Sequence, residues 1–296
     1  MADYTTSFKN WSDFQKERET FRWPGGRHIA VIVNIAYEAW SDGKAPGIGP
    51  MGNPLPSGAF DTNALSWGNF GRNQGLDRLL RILDRNKVAA SVMVSGILAE
   101  RAPDNVRAIA NAGHEIIAHS YAQDIVPAVL NAEDDKRNVV RTTEVIEQAT
   151  GRRPVGWASP RATPSEQTIK SLIDSGYKFH SEVLDTDRPY EQEFANGKIV
   201  AIPFTMDIND LPHAMRFGRT PRQYVELFDD FLAHALKSDD GAIIMDVTAH
   251  THCYGRAGGA WAYEEVVRKA SQRDDIWLTT REQLVDYFLT TQRGQG

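Results

Sequence analysis

Four polar residues, Glu38, His119, Arg161 and His250, each follow a short apolar segment of the sequence. A carboxylate, two imidazoles and a guanidinium are a workable set for amide hydrolysis, in which one group takes a proton from water and another stabilises the oxyanion or protonates the leaving nitrogen. We expect Glu38 to be the base and His250 to protonate the nitrogen. Arg161 is expected to hold a carbonyl or carboxylate group, because its fork of donors suits such oxygens.

Apolar segments of the β type alternate with helix-like segments, and these elements must position the four residues. The expected strands are residues 28–35, 89–94, 114–118, 155–158, 199–202, 242–247 and 276–278. Several of them are apolar on both faces, which is typical of a mostly parallel sheet covered by helices. In an α/β barrel the active site lies at the C-terminal ends of the strands, and all four residues fall there.

Helix starts are indicated at three places. Residues 163–166 and 279–282 match the capping box, and Thr220 followed by Pro221 offers an N-cap with proline in the first turn. Residues 39–73 contain seven glycines and four prolines and show neither helical nor strand periodicity. A loop of that length in a compact domain is usually functional, so we expect a long active-site loop over residues 39–73.

Length and composition narrow the class of protein. A barrel enzyme of 296 residues is commonly one domain, and we expect a single domain over residues 1–296 with residues 1–25 as an N-terminal arm. The 33 basic and 39 acidic residues are spread along the chain, so neither nucleic acid nor a membrane surface is indicated as a partner. A single cysteine, Cys253, together with a polar start and no long apolar run, favours a cytoplasmic protein.

A series of short motifs resembles the polysaccharide deacetylase superfamily, and more closely its allantoinase-like branch, from about Phe21 to Phe288. The motifs occur in the family's order and are residues 23–26, 37–38, 113–115, 119–120, 156–161, 187–190, 203–210 and 250–256. The resemblance implies a distorted (β/α) barrel of about seven parallel strands and a hydrolase of carbon–nitrogen bonds. It also implies a homo-oligomer.

The metal-binding motifs of that family are altered in this chain. Metal-dependent deacetylases carry an Asp-Asp pair after the first strand and a His-[Ser/Thr]-x-x-His pair after the third, whereas this chain has Ala36-Tyr37-Glu38 and His119 followed by Gln123. A carboxamide is a much poorer zinc ligand than an imidazole. Two alternatives follow: a metal-free site, or a rebuilt zinc site that uses Glu38 and His119 with His250, His252 or water as a further ligand. No organic cofactor is expected.

Aromatic residues near the expected catalytic positions suggest the substrate class. Tyr37, Trp40, Trp67 and Trp157 would suit a flat, compact heterocycle, whereas a polymer would need an open groove. The other residues that we expect to bind substrate are Asn209, Asp210 and His252.

The leading hypothesis is a hydrolase that opens a small cyclic amide, such as a cyclic imide or a hydantoin-like or allantoin-like ring, by attack of water on the ring carbonyl. The first alternative is a polysaccharide or chito-oligosaccharide N-deacetylase, which the altered metal motif and the absence of a leader disfavour. The second is a non-catalytic ligand-binding relative, which the presence of all four polar residues disfavours.

Overall fold

The computed structural model describes residues 15–16, 19–46, 55–56, 58–238 and 241–293, so part of the expected N-terminal arm and residues 47–54 and 57 of the expected loop lie outside the described residues. The described residues form ten strands: β1 (Ile29–Tyr37), β2 (Ser91–Val94), β3 (Glu115–Ala118), β4 (Gly156–Trp157), β5 (Phe179–Val183), β6 (Tyr190–Phe194), β7 (Gly197–Pro203), β8 (Ile208–Asn209), β9 (Ile243–His250) and β10 (Ile276–Thr279). The helices are α1 (Thr62–Phe70), α2 (Leu76–Asn86), α3 (Gly96–Arg101), α4 (Pro103–Asn111), α5 (Ala132–Thr150), α6 (Glu166–Asp174), α7 (Pro221–Ala235), α8 (Ala257–Ser271) and α9 (Arg281–Arg293).

The strands form one curled sheet in the order β6-β7-β5-β4-β3-β2-β1-β9-β8. β10 pairs with the first half of β1, and β2 pairs with its second half. Every described pairing is parallel except the β6–β7 hairpin. The α/β class and the barrel-like parallel sheet are therefore confirmed, and all seven expected strands are present with shifts of a few residues at their ends.

Three strands were not expected from the sequence. β5 carries the polar residues His180, Ser181 and Glu182 in succession, so it lacks the apolar pattern of a buried strand. β6 alternates exposed and half-buried residues at the edge of the sheet, and β8 contains two residues only. These strands depend on tertiary pairing for their conformation, and local sequence does not reveal it.

The two faces of β1 contact different hydrophobic clusters. Ile29, Val31 and Val33 point to the helices, whereas Ala30 and Ile32 point to the concave side of the sheet. This alternation follows from the period of two in an extended chain. The sheet is thus buried on both sides, as the apolar runs predict.

The N-terminal segment closes the lower end of the concave side. Trp23 Nε1 donates a hydrogen bond to Ile243 O at 3.0 Å, and Phe21 stacks edge to face with Phe288 of α9. The opposite end, at the C-terminal ends of the strands, is where the expected catalytic residues lie. No helix among the described residues combines the length and the apolar character that are needed to cross a membrane.

The helix starts agree with the expected signals in part. Thr220 is the N-cap of α7 and forms the capping box. The cap of α6 is Ser165 rather than Thr163.

The expectation of an irregular loop over residues 39–73 is wrong for residues 62–73. Asp61 caps helix α1, and a π-helical turn, Gly71–Gly75, joins α1 directly to α2. The glycines of this segment suggested a flexible loop, but in the structure they allow close packing. A Cβ on Gly68 would lie 3.0 Å from the Trp40 ring.

Candidate active site

Glu38 is the first residue after β1, and three imidazoles converge on its buried carboxylate. Oε1 lies 3.1 Å from His119 Nε2 and 3.7 Å from His250 Nε2. Oε2 lies 3.9 Å from His252 Nε2. The structure thus brings together Glu38 after β1, His119 after β3, and His250 and His252 at the end of β9. Three of the four residues that were expected to converge, Glu38, His119 and His250, belong to this cluster.

The backbone fixes the orientation of His119. Its Nδ1 lies 2.6 Å from the carbonyl oxygen of Ala158, which follows β4. A carbonyl oxygen only accepts, so Nδ1 carries a proton and donates it. Nε2 then faces the Glu38 carboxylate at 3.1 Å, so the two acceptors can share one proton or one cation.

Asp210 holds His250. Its Oδ1 lies 2.6 Å from His250 Nδ1, and its Oδ2 accepts hydrogen bonds from the backbone N–H groups of His250 and Tyr254, both at 2.8 Å. The ring is therefore fixed with Nδ1 protonated and Nε2 directed at Glu38. A carboxylate behind an imidazole is the arrangement that stabilises an imidazolium.

His252 is enclosed by two tryptophans. Its ring centroid lies 4.5 Å from that of Trp67 and 5.4 Å from that of Trp40, both in edge-to-face contact. Neither ring nitrogen of His252 has a hydrogen-bond partner among the described residues, although the side chain is buried. An unpaired buried imidazole is costly, so these nitrogens are open to a partner from outside the described residues, such as water, a metal ion or a substrate.

The cluster is electrostatically coupled. Burial by itself would raise the pKa of Glu38, but the surrounding His250, His119 and His252 lower it to about 2. Burial would lower the pKa of His250, but Asp210 and Glu38 raise it to about 9. Burial lowers the pKa of His252 to about 4. At neutral pH the site therefore holds a carboxylate, an imidazolium at His250 and a neutral His252.

These donors fit a zinc ion by type. Zinc accepts carboxylate oxygen and imidazole nitrogen, and two donors of one tetrahedral ion lie about 3.3 Å apart. The distances from Glu38 to the three imidazoles bracket this spacing, and the two unpaired nitrogens of His252 offer a further ligand. Within the described residues, however, no group of three or more such side chains is already arranged around a common metal position.

Gln123 stands where the family pattern has its second histidine, and it has a different role. Its side chain Nε2 donates to Ser95 Oγ at 3.0 Å and to His119 O at 3.3 Å. Its backbone N–H donates to Ala39 O at 2.9 Å. Gln123 thus ties together the ends of β1, β2 and β3 beneath the imidazoles.

Trp40 and Trp67 are the two expected aromatic residues that lie at the site. Tyr37 and Trp157 do not line it, because both side chains are fully buried between the sheet and the helices. Their positions in the strands direct them to the helix side, opposite to Glu38. The expectation that they contact substrate is corrected accordingly.

The remaining expected residues have other surroundings. Arg161 is exposed in the turn after β4 and makes no hydrogen bond or ion pair with another described residue; its backbone has a φ of 62°. Asn209 Oδ1 accepts from Leu211 N at 3.1 Å, so it stabilises a turn. Asp210 is occupied by His250 and Tyr254, and we reassign it from substrate binding to the support of His250.

A cleft leads from the surface to Glu38. Its wall includes Trp40, Leu65, Arg72 and Leu98. Arg72 was not expected at the site, because a lone arginine in a glycine-rich segment carries no local signal. The packing of the π-helical turn against Thr251, the residue between His250 and His252, likewise has no local sequence signal.

The comparisons with known proteins agree with this architecture. Residues 59–180 match the family model described as polysaccharide deacetylase. The peptidoglycan deacetylase of Helicobacter pylori is 21% identical and aligns with 88% of this chain and 98% of its own.

Solved structures of the same fold cover most of both chains. A candidate polysaccharide deacetylase from Mycobacterium smegmatis has a TM-score of 0.77 at 27% identity, over 92% of this chain and 94% of its own. Puue allantoinase has a TM-score of 0.79 at 22% identity, over 91% of this chain and 93% of its own. The chain therefore has the fold of the polysaccharide deacetylase superfamily, and residues 59–180 match its family model.

Proposed function

We propose that this chain, which shares the polysaccharide deacetylase fold, is a hydrolase that opens a small cyclic amide by attack of water on the ring carbonyl. One observation carries the proposal: the Glu38 carboxylate faces His250, whose other nitrogen is held by Asp210, across 3.7 Å. A proton acceptor and a proton donor are the two groups that amide hydrolysis needs.

Glu38 and His119 together receive the proton of the attacking water. A carboxylate with a pKa of about 2 holds a proton weakly, but His119 Nε2 lies 3.1 Å away and carries a lone pair because Nδ1 donates to Ala158 O. A proton that reaches Glu38 Oε1 is therefore shared with His119.

His250 protonates the nitrogen that leaves the carbonyl carbon. Its pKa of about 9 keeps the imidazolium form populated at neutral pH, and Asp210 stays in place to stabilise it. The same positive charge favours the oxyanion before the bond breaks. Arg161, which we expected to assist the carbonyl, is exposed in this structure, and its contribution remains a prediction.

Glu38, His119 and His252 are the residues that would hold a divalent ion such as zinc. When bound, zinc lowers the pKa of a water ligand to about 7 and polarises carbonyl groups. With or without a metal ion, the site requires that Ala158 O orient His119 and that Asp210 orient His250.

The enclosure of the site supports a small ring as substrate. Trp40 and Trp67 cover His252, and only 9% of the Glu38 side chain is exposed. The fold also accommodates an allantoinase, which supports cyclic amide chemistry on this scaffold. Planar rings stack well on such aromatic walls.

N-deacetylation of a sugar polymer is the second candidate. The family model and the H. pylori relative both bear deacetylase names, and the same donor and acceptor pair would hydrolyse an acetamide. An acetylated sugar would have to pass Trp40, which lines the cleft, to reach Glu38. The names of the family model and of the H. pylori relative therefore favour N-deacetylation, whereas the enclosed site favours a cyclic amide.

Turnover assays separate these candidates. Purified protein is tested with succinimide, hydantoin, dihydrouracil and allantoin and, in parallel, with chito-oligosaccharides, with the Glu38→Gln variant as a background control. Ring opening without acetate release supports the proposal. Acetate release alone establishes the deacetylase, and inactivity on both classes favours a non-catalytic relative.

A further inference from the structure

The wall of the cleft above Glu38 carries an unpaired positive charge. Arg72 lines this cleft, and no acidic side chain in the described part of the chain pairs with its guanidinium. We infer that the cleft binds rings that carry a carboxylate or a similar anionic group away from the scissile bond. The inference rests on the proposed function and names the class of ring.

The other charges of the cleft are already matched. Arg101 contacts both oxygens of the Asp42 carboxylate, at 2.7 and 3.2 Å. Glu38 is surrounded by three imidazoles and lies at the inner end. Among the described residues that line the cleft, Arg72 is thus the cation that no carboxylate pairs with, and its planar fork suits a carboxylate.

The segment that carries Arg72 is held firmly against the catalytic cluster. It belongs to the π-helical turn Gly71–Gly75, a type of turn that is frequent at functional sites. Cβ atoms on Gly71 and Gly75 would lie 2.5 Å and 1.8 Å from atoms of Thr251, which stands between two of the imidazoles. The position of Arg72 is therefore coupled to that of His250 and His252.

A second contact fixes the same turn from below. Asn105 Nδ2 donates to Arg72 O at 3.3 Å and to the Tyr37 hydroxyl at 2.9 Å. Tyr37 immediately precedes Glu38. The backbone of Arg72 is thus fixed relative to both ends of the catalytic cluster, as recognition of an anionic group at a set distance from the scissile bond requires.

Two matched ligands isolate the charge: hydantoin-5-acetic acid and its methyl ester, which share one ring and nearly one shape. Binding is measured calorimetrically on Glu38→Gln, which prevents turnover, and on the double variant with Arg72→Gln. The control is Arg81→Gln, since Arg81 is an exposed cation of α2 that pairs with Asp77 and lies outside the cleft wall.

The acid is expected to bind about 5-fold more tightly than the ester at low salt, as a partly exposed ion pair contributes. The preference should disappear with Arg72→Gln, persist with Arg81→Gln and weaken in 0.5 M NaCl. Equal binding of acid and ester, no binding of either, or a preference that survives Arg72→Gln overturns the inference. A binding preference without turnover of any ring by the wild type overturns the proposed function instead.

Discussion

Asp210 Oδ1 lies 2.6 Å from His250 Nδ1, and the whole Asp210 carboxylate is buried. This contact decides which nitrogen of His250 points at Glu38, and it stabilises the protonated ring. Asp210 acts through His250 and is a positioning residue for the proposed reaction.

Asp210→Asn tests this relationship. The amide keeps the shape but removes the charge that raises the pKa of His250, so we expect kcat to fall by about 10²–10⁴. The upper pH limit of activity, set in the wild type by the His250 pKa of about 9, should move to lower pH. The measurement is a pH–rate profile. Asp207→Asn, an exposed neighbour, is the control and should keep the wild-type profile.

Glu38→Gln removes the proposed proton acceptor with almost no change of shape. We expect turnover to vanish while circular dichroism shows an intact fold. The same change should lower the pKa of His250, because the Glu38 charge helps to raise it. Full activity of this variant would rule out the proposed mechanism.

Zinc content is a separate observable of the same cluster. Protein purified without chelator is expected to contain up to one equivalent of zinc by elemental analysis and to unfold at a lower temperature after chelation, because binding stabilises the folded state. His252→Phe fills a similar space without a ligand atom and should lower the zinc content. Zinc content that is unchanged in this variant would exclude His252 as a ligand.

The sequence predicted the convergence of Glu38, His119 and His250 better than it predicted the residues that support them. Glu38, His119 and His250 follow apolar strands, and parallel strands bring such residues to one edge of a sheet, so pattern alone could place them. Asp210 follows the two-residue strand β8, and its contact with His250 depends on pairing across 40 positions. To place Trp157 and Tyr37, one must know which face of the sheet each side chain points to. A short apolar run with both faces buried leaves this undetermined.

A second buried polar group was likewise outside the reach of sequence patterns. β5 places Glu182 beneath Ser159, whose backbone N–H donates to the Glu182 carboxyl group, and Glu182 Oε2 lies 3.6 Å from His180 Nδ1. Burial raises the pKa of Glu182 to about 8. Protonated Glu182 therefore supports the turn that follows Ala158.

This raised pKa predicts a pH-dependent stability. The folded form holds the Glu182 proton up to about pH 8, whereas the unfolded form loses it near pH 4.5. The contribution of Glu182 to the free energy of unfolding is therefore full below pH 4.5 and is lost as the pH rises towards 8. Within that window the contribution should fall by about 1.4 kcal/mol per pH unit. Glu182→Gln cannot ionise, so its free energy of unfolding should rise relative to wild type from pH 5 to pH 8.

Denaturant unfolding at several pH values measures this difference. The control is Glu193→Gln, since Glu193 is an exposed residue of the neighbouring strand β6. The difference in the free energy of unfolding between Glu193→Gln and the wild type should stay constant over the same pH range. A constant difference for Glu182→Gln as well would show that Glu182 is ionised in the folded protein.

The π-helical turn packs closely against the end of β9. Gly75 has a φ of −64°, so alanine would fit its backbone, but the added Cβ would lie 1.8 Å from Thr251 O. Gly75→Ala must therefore displace the turn or Thr251, and we expect a loss of about 1–3 kcal/mol or more in the free energy of unfolding, together with a clear loss of kcat. Gly258→Ala in α8 is the matched control, because its Cβ meets open space and alanine favours a helix by up to about 1 kcal/mol. Chemical denaturation and steady-state kinetics on both variants decide the matter. Wild-type stability and turnover in Gly75→Ala would show that the turn moves freely and does not hold Arg72 and the imidazoles in register.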